Sequence, residues 1–161
     1  SGISSTYGEY IFGFYNMNPA TDEAFLTVQF NAAGASGYNE TITSTSFNAQ
    51  HNEEDSNAQL DYNDEGGAGE QQSNGTAFQQ LTREVGNGGD ESCAGVMHLF
   101  NPSSTTYVKH FHSHVQVYNA WDYSMDCFFA GYINTTTAID DVQFKMSAGN
   151  FDGTIKMWGV K

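Results

Sequence analysis

Apolar and polar residues alternate with a period of two along most of this chain. No window holds apolar residues at i, i+3, i+4 and i+7, the spacing an amphipathic helix requires. Successive side chains of an extended strand point to opposite faces, so the pattern calls for sheets with one dry and one wet side. The expected strands are "EYIFGFYN" (9–16), "AFLTVQFN" (24–31), "YNETITSTSF" (38–47), "SCAGVMHLF" (92–100), "YVKHFHSHVQVY" (107–118), "YSMDCFFAGYI" (123–133), "AIDDVQFKM" (138–146) and "GTIKMWGV" (153–160). Between them lie "NPATD", "AAGASG", "NPSSTT", "NTTT" and "SAGNFDG", built of residues that tolerate tight turns or bond their own backbone.

About eight strands without crossover helices imply antiparallel pairing, and burying one face of each leads to a two-sheet β-sandwich, jelly-roll-like, with a closed barrel as the alternative. At 161 residues the chain fits a single domain spanning 1–161. Residues 48–91 are dense in Asn, Gln, Gly, Asp and Glu and read as a long polar excursion at one end, with one further strand expected in "TAFQQLTREV" (76–85). In 138–146, Val142, Phe144 and Met146 share one face, and Asp141, Gln143 and Lys145 the other. In 153–160, Ile155 and Met157 turn inward if Thr154, Lys156 and Trp158 face out.

Five Lys and Arg stand against 19 Asp and Glu, a net charge of −14. Such a surface repels phosphate backbones and anionic headgroups, so neither nucleic acid nor membrane is an expected partner. It suits a saline or extracellular setting, where salt screens the self-repulsion. No apolar run approaches the ~20 residues of a transmembrane helix. The opening "SGISSTYGEY" lacks the parts of a signal peptide, and the absence of an initiator Met suggests an ordered piece of a longer product.

Three constellations bear on chemistry. His110, His112 and His114 alternate on one strand opposite Phe111, Val115 and Val117, so they project outward together. Neighbouring imidazoles of such a row converge on a metal only if another strand or a symmetry mate supplies the remaining ligands; otherwise the row is the wet face of a strand. The segment "DYNDEGGAGEQQ" (61–72) sets oxygens at Asp61, Asn63 and Glu65 before Gly66, partly matching a calcium loop, but ends on Gln72 instead of a bidentate Glu. The adjacent acids Glu53 and Glu54, and Asp140 and Asp141, point to opposite faces if they lie on strands. No nucleophile elbow, phosphate loop or zinc-protease helix occurs, so no enzyme is expected. Cys93 and Cys127 both fall on inward parity, which fits either one disulfide or two buried thiols. Asn39, Asn74 and Asn134 begin glycosylation sequons, which matter only in a eukaryotic secretory host.

The stretches "SSTYGEYIFGFYNMNPATD", "GYNETITSTSF", "HLFNPSSTTYVKHF" and "FFAGYINTTTAIDDVQFKMSAGNFDGTIKMWGVK", the last with a "SGN...GTIKMYG" type of ending, resemble virion structural and tail-fibre-like proteins of marine bacteriophages. The resemblance implies a particle component, oligomeric and in contact with other virion proteins, as a tail fibre, spike or capsid decoration. His112, His114 and both Cys depart from the plainer residues expected there. The resulting expectation is a non-enzymatic virion module for host attachment or particle stability, with a trimer as the favoured assembly. Nine Tyr and two Trp also suit stacking on a host-surface glycan, with Tyr118, Trp121, Tyr123 and Trp158 as the candidates, against a role for the same rings in core and subunit contacts. A carbohydrate-binding module and, more remotely, a glycan-degrading enzyme are the rival readings.

Overall fold

Residues 2–62 and 70–161 are described by a computed structural model. Within them ten strands form two antiparallel sheets, with no helix, as a β-sandwich. The larger sheet runs, edge to edge, β10 (Phe151–Val160), β1 (Glu9–Pro19), β6 (Cys93–Phe100), β7 (Lys109–Tyr118), β8 (Tyr123–Ile133), β3 (Ile42–Asn52) and β4 (Ala58–Tyr62). The smaller runs β5 (Gln79–Gln80), β2 (Leu26–Ala32) and β9 (Ile139–Met146). Pairings of β1 with β10, β2 with β9, β3 with β8 and β6 with β7 nest inside one another, as when one long hairpin is rolled up. That nesting is the jelly-roll-like feature, although the strands divide seven and three.

The core lies between the sheets and follows the alternation. On β7, Phe111, Val115 and Val117 are buried while His110, His112, His114 and Gln116 are exposed. Phe144 of β9 meets Phe12 and Phe14 of β1 with ring centroids 5.2 Å apart in each case, and Phe30 of β2 meets Phe111 at 5.7 Å. Such tilted and edge-on pairs add to the area they bury. In β1 the alternation breaks at Asn16, whose φ of 50° marks a bulge. Registers shift there against both neighbours, so that Phe14 and Met17 both turn into the core.

Residues 48–91 depart from the expected excursion. β3 continues through Asn52, β4 adds an edge strand, and the segment from Gln79 runs along β2. Only Gln79–Gln80 of the strand expected at 76–85 pairs as a ladder. Leu81 and Val85 nevertheless donate backbone N–H bonds to Leu26 and Ala24, and both side chains are wholly buried. Three buried apolar anchors, Leu81, Val85 and the Thr82 methyl, hold a polar stretch against the sheet, while the Thr82 hydroxyl accepts from Leu26 N–H at 2.8 Å. β3 also begins later than expected. Glu40 is spent on β2 instead, its carboxylate accepting from Ala32 N–H and its carbonyl from the Gln29 amide.

Candidate functional site

Near the β3–β4 edge the inward positions of the larger sheet turn polar, and a cleft of about 430 Å³ opens among them. β3 supplies Asn48 and Gln50, β4 supplies Asp61, and β8 supplies Tyr123 and Met125. The opposite wall is Arg83 and Glu84, which project into the cleft because their neighbours Thr82 and Val85 are pinned under β2. The Arg83 guanidinium is ion-paired to the buried Glu70 carboxylate, with Glu84 4.0 Å away. Its Nε is buried and has no acceptor among the described residues.

The third wall is the tight turn between β7 and β8. Buried Asn119 builds it: its Oδ1 accepts from the backbone N–H of Trp121 at 2.9 Å and of Tyr123 at 3.1 Å. Asp122 takes the left-handed conformation this turn needs, with φ 59°. Trp121 is thereby held at the mouth of the cleft with 52% of its surface open. An apolar ring face beside amides, carboxylates and a guanidinium is the combination that receives a polyhydroxylated ring: the plane packs on C–H groups and the polar groups bond hydroxyls.

Of the four aromatic candidates, Trp121 and Tyr123 come together in this cleft, and Asn57 donates to the Tyr123 hydroxyl at 3.3 Å. Tyr118 stands beside it at the end of β7. Its hydroxyl donates to Asp122 at 3.2 Å, and that bond, with partial burial and the charges of Glu53, Asp122 and Asp90, pushes the phenol up to about 12. Trp158 lies at the far edge on β10, outward as expected, with its ring over Gly13, where a Cβ would sit 2.8 Å from it.

The histidine row points outward from the larger sheet. His112 stacks on His98 of β6 with centroids 4.7 Å apart, and His98 Nδ1 lies 2.5 Å from Glu9. Burial, then the His98 charge, lower the His112 pKa against an opposing pull from Glu9. His114 lies 2.6 Å from Asp126 and stacks on Phe128 at 4.1 Å, while His110 meets Tyr132 edge-on. Each imidazole thus faces a different neighbour. Among the described residues no three His, Cys, Asp or Glu side chains are placed to hold a metal ion. Asn63, Glu65 and Gly66 of the acidic segment lie outside the described residues. Gln72 at its end is buried, with its amide nitrogen donating to Ala77 O and Gln79.

Cys93 and Cys127 are free, buried thiols. Cys93 pairs with Val117 and Cys127 with Val115, so β7 separates them. Two strand spacings put their backbones about 10 Å apart, beyond the ~7 Å reach of a disulfide. Burial pushes both thiols up to about 12, Cys93 further aided by Cys127; at Cys127 a backbone N–H bond from Arg83 opposes the rise. The alternative of a bridge therefore gives way to packing.

Arg83, Glu84, Asn119 and the β3 amides were not singled out by the sequence. The one available signal was Arg83, the only arginine in the chain, next to an acid in a stretch already expected to hold a strand. No protein-family model, curated protein or solved structure matches this chain.

Proposed function

We propose that this chain is a non-enzymatic β-sandwich binding module that holds a neutral saccharide in the Trp121–Tyr123 cleft, and that it serves in host attachment on a phage particle. The observation that carries the binding reading is the half-exposed Trp121 ring, fixed by Asn119 beside Asn48, Gln50 and Arg83 in one cleft. Asp61 and Glu84 add negative charge where the guanidinium is already paired to Glu70, which disfavours sialylated or uronic sugars. The particle setting rests on the sequence resemblance, and the all-β fold and strongly acidic surface are compatible with it. No helix among the described residues is long and apolar enough to cross a membrane.

Binding is tested on a glycan array with the wild-type chain and Trp121→Ala side by side. Saturable binding of neutral glycans by the first and its loss in the second supports the proposal. Equal signals from both remove the cleft from it.

Asp61 and Glu84 lining one cleft is also the observation that favours the glycan-degrading alternative. The binding reading expects no release of reducing ends from any glycan the protein retains. Release that disappears in Glu84→Gln or Asp61→Asn replaces the module with an enzyme.

A further inference from the structure

The outer face of the seven-stranded sheet is unlike the rest of this molecule. All five histidines project from it: His51 on β3, His98 on β6, and His110, His112 and His114 on β7. Of the large apolar side chains exposed among the described residues, all but Tyr107, Trp121 and Met157 also stand there. One row crosses the whole sheet in register: Lys156, Gly13, Val96, His114, Phe128, Phe47 and Tyr62. Phe47 and Phe128 stack at 4.7 Å within it. The carboxylates on outward positions of these strands are Glu9, Asp126 and, at the far end of the edge strand β10, Asp152; the first two are hydrogen-bonded to histidines, His98 and His114.

We infer that this face is the contact between two copies of the chain, related by a two-fold axis. Charge selects the occupant. Copies of a chain with net charge −14 repel one another wherever carboxylates meet, and this is the broad face on which they scarcely do. Size agrees. Six strand spacings by nine or ten residues give a face of roughly 30 Å by 30 Å, a footprint near the ~800 Å² per partner of a stable interface. A trimer requires two different complementary patches on each copy, whereas one self-complementary face closes as a dimer. Under this inference a dimer stands in place of the trimer expected from sequence. The histidines contribute flat rings, and the trough of about 450 Å³ floored by Ala130 and walled by Phe100, His110, His112 and Tyr132 accepts a side chain of the opposing copy.

The test is sedimentation velocity and light scattering of the full chain at pH 7.5 and about 50 µM, a concentration at which an interface of this size is populated. The expected mass is about 35 kDa, twice the chain's 17.6 kDa. Val96→Glu and, separately, Phe47→Glu are each expected to yield the monomer mass with unchanged circular dichroism, while Tyr107→Glu, off the face, stays dimeric. A monomeric or trimeric wild type overturns the inference, as does a dimer that survives both face variants.

Discussion

Replacing Trp121 by Ala removes the platform of the cleft, and the structure sets the size of the loss. A tryptophan side chain presents up to about 250 Å². With 52% open, about 130 Å² is available to a ligand, of which a sugar ring lying on one face covers about half. At ~25 cal/mol per Å² that is ~1.6 kcal/mol, or about a 15-fold rise in Kd. The buried half of the ring supports the β7–β8 turn, and its loss costs the fold up to ~3 kcal/mol. Affinity is therefore measured by isothermal titration calorimetry well below the melting midpoint, against a glycan retained by the wild type. Trp121→Phe keeps a ring face and is expected to recover most of the affinity. Trp158→Ala, at the opposite edge, leaves Kd unchanged. Trp121→Ala within about twofold of wild type, or an equal loss on Trp158→Ala, refutes the placement of the ligand.

Two further substitutions probe how the sheet is held. Lys109 is wholly buried with its ammonium on Thr135 O at 3.0 Å, and burial lowers its pKa against the pull of Glu40. Between that lowered value and the ordinary ~10.4 the unfolded chain binds more protons than the native one, so wild-type stability rises with pH across this window. Lys109→Met is expected to hold or raise stability by ~1 kcal/mol at pH 7 and to flatten that rise; urea midpoints at pH 7 and pH 10 check it, and the same rise in the variant counts against the assignment. Gly95 faces β7 so closely that a Cβ would stand 2.6 Å from Val115 Cα, a backbone atom that cannot swing aside. Gly95→Ala is expected to cost ~2 kcal/mol or more in thermal or urea unfolding, and a neutral result would mean that the two strands stand further apart.

The parts of the fold legible in the sequence are those where burial alone decides the pattern. β7 and β8 follow their alternation nearly residue for residue, because each is central in its sheet with one dry face. β4 was illegible: Ala58, Gln59, Leu60, Asp61 and Tyr62 all remain at least partly open, so this edge strand carries no apolar side to announce it. The buried amides misled in the opposite direction. Gln29 and Gln79 look like solvated residues, yet both are fully buried, Gln29 donating to the carbonyls of Glu40, Thr76 and Ala77. A polar side chain that satisfies its own bonds leaves no trace in a hydropathy pattern. The cleft was half legible for a related reason. Trp121 and Tyr123 stood out as aromatic candidates for stacking on a glycan, but Arg83, Asp61 and Asn48 reach them only through the order of strand pairing, which no local window encodes.

The unequal division of strands gives the cleft and the bare face separate places. Three strands cannot roof seven, so the polar inner edge at β3 and β4 is closed by the 83–84 segment and the 119–123 turn, which leaves a cleft there. Among the described residues the opposite side of the same strands has no second layer, and there aromatic and imidazole rings outnumber charged groups. Because cleft and face lie on opposite sides of β3, a pair of copies joined through the face keeps both clefts open. Two weak saccharide contacts then act together on a surface dense in glycan, and the second engagement is intramolecular. Attachment needs no tight single site under that arrangement. A shallow, half-open Trp platform worth little over one power of ten in affinity is enough, provided that the two clefts can reach neighbouring glycans at once.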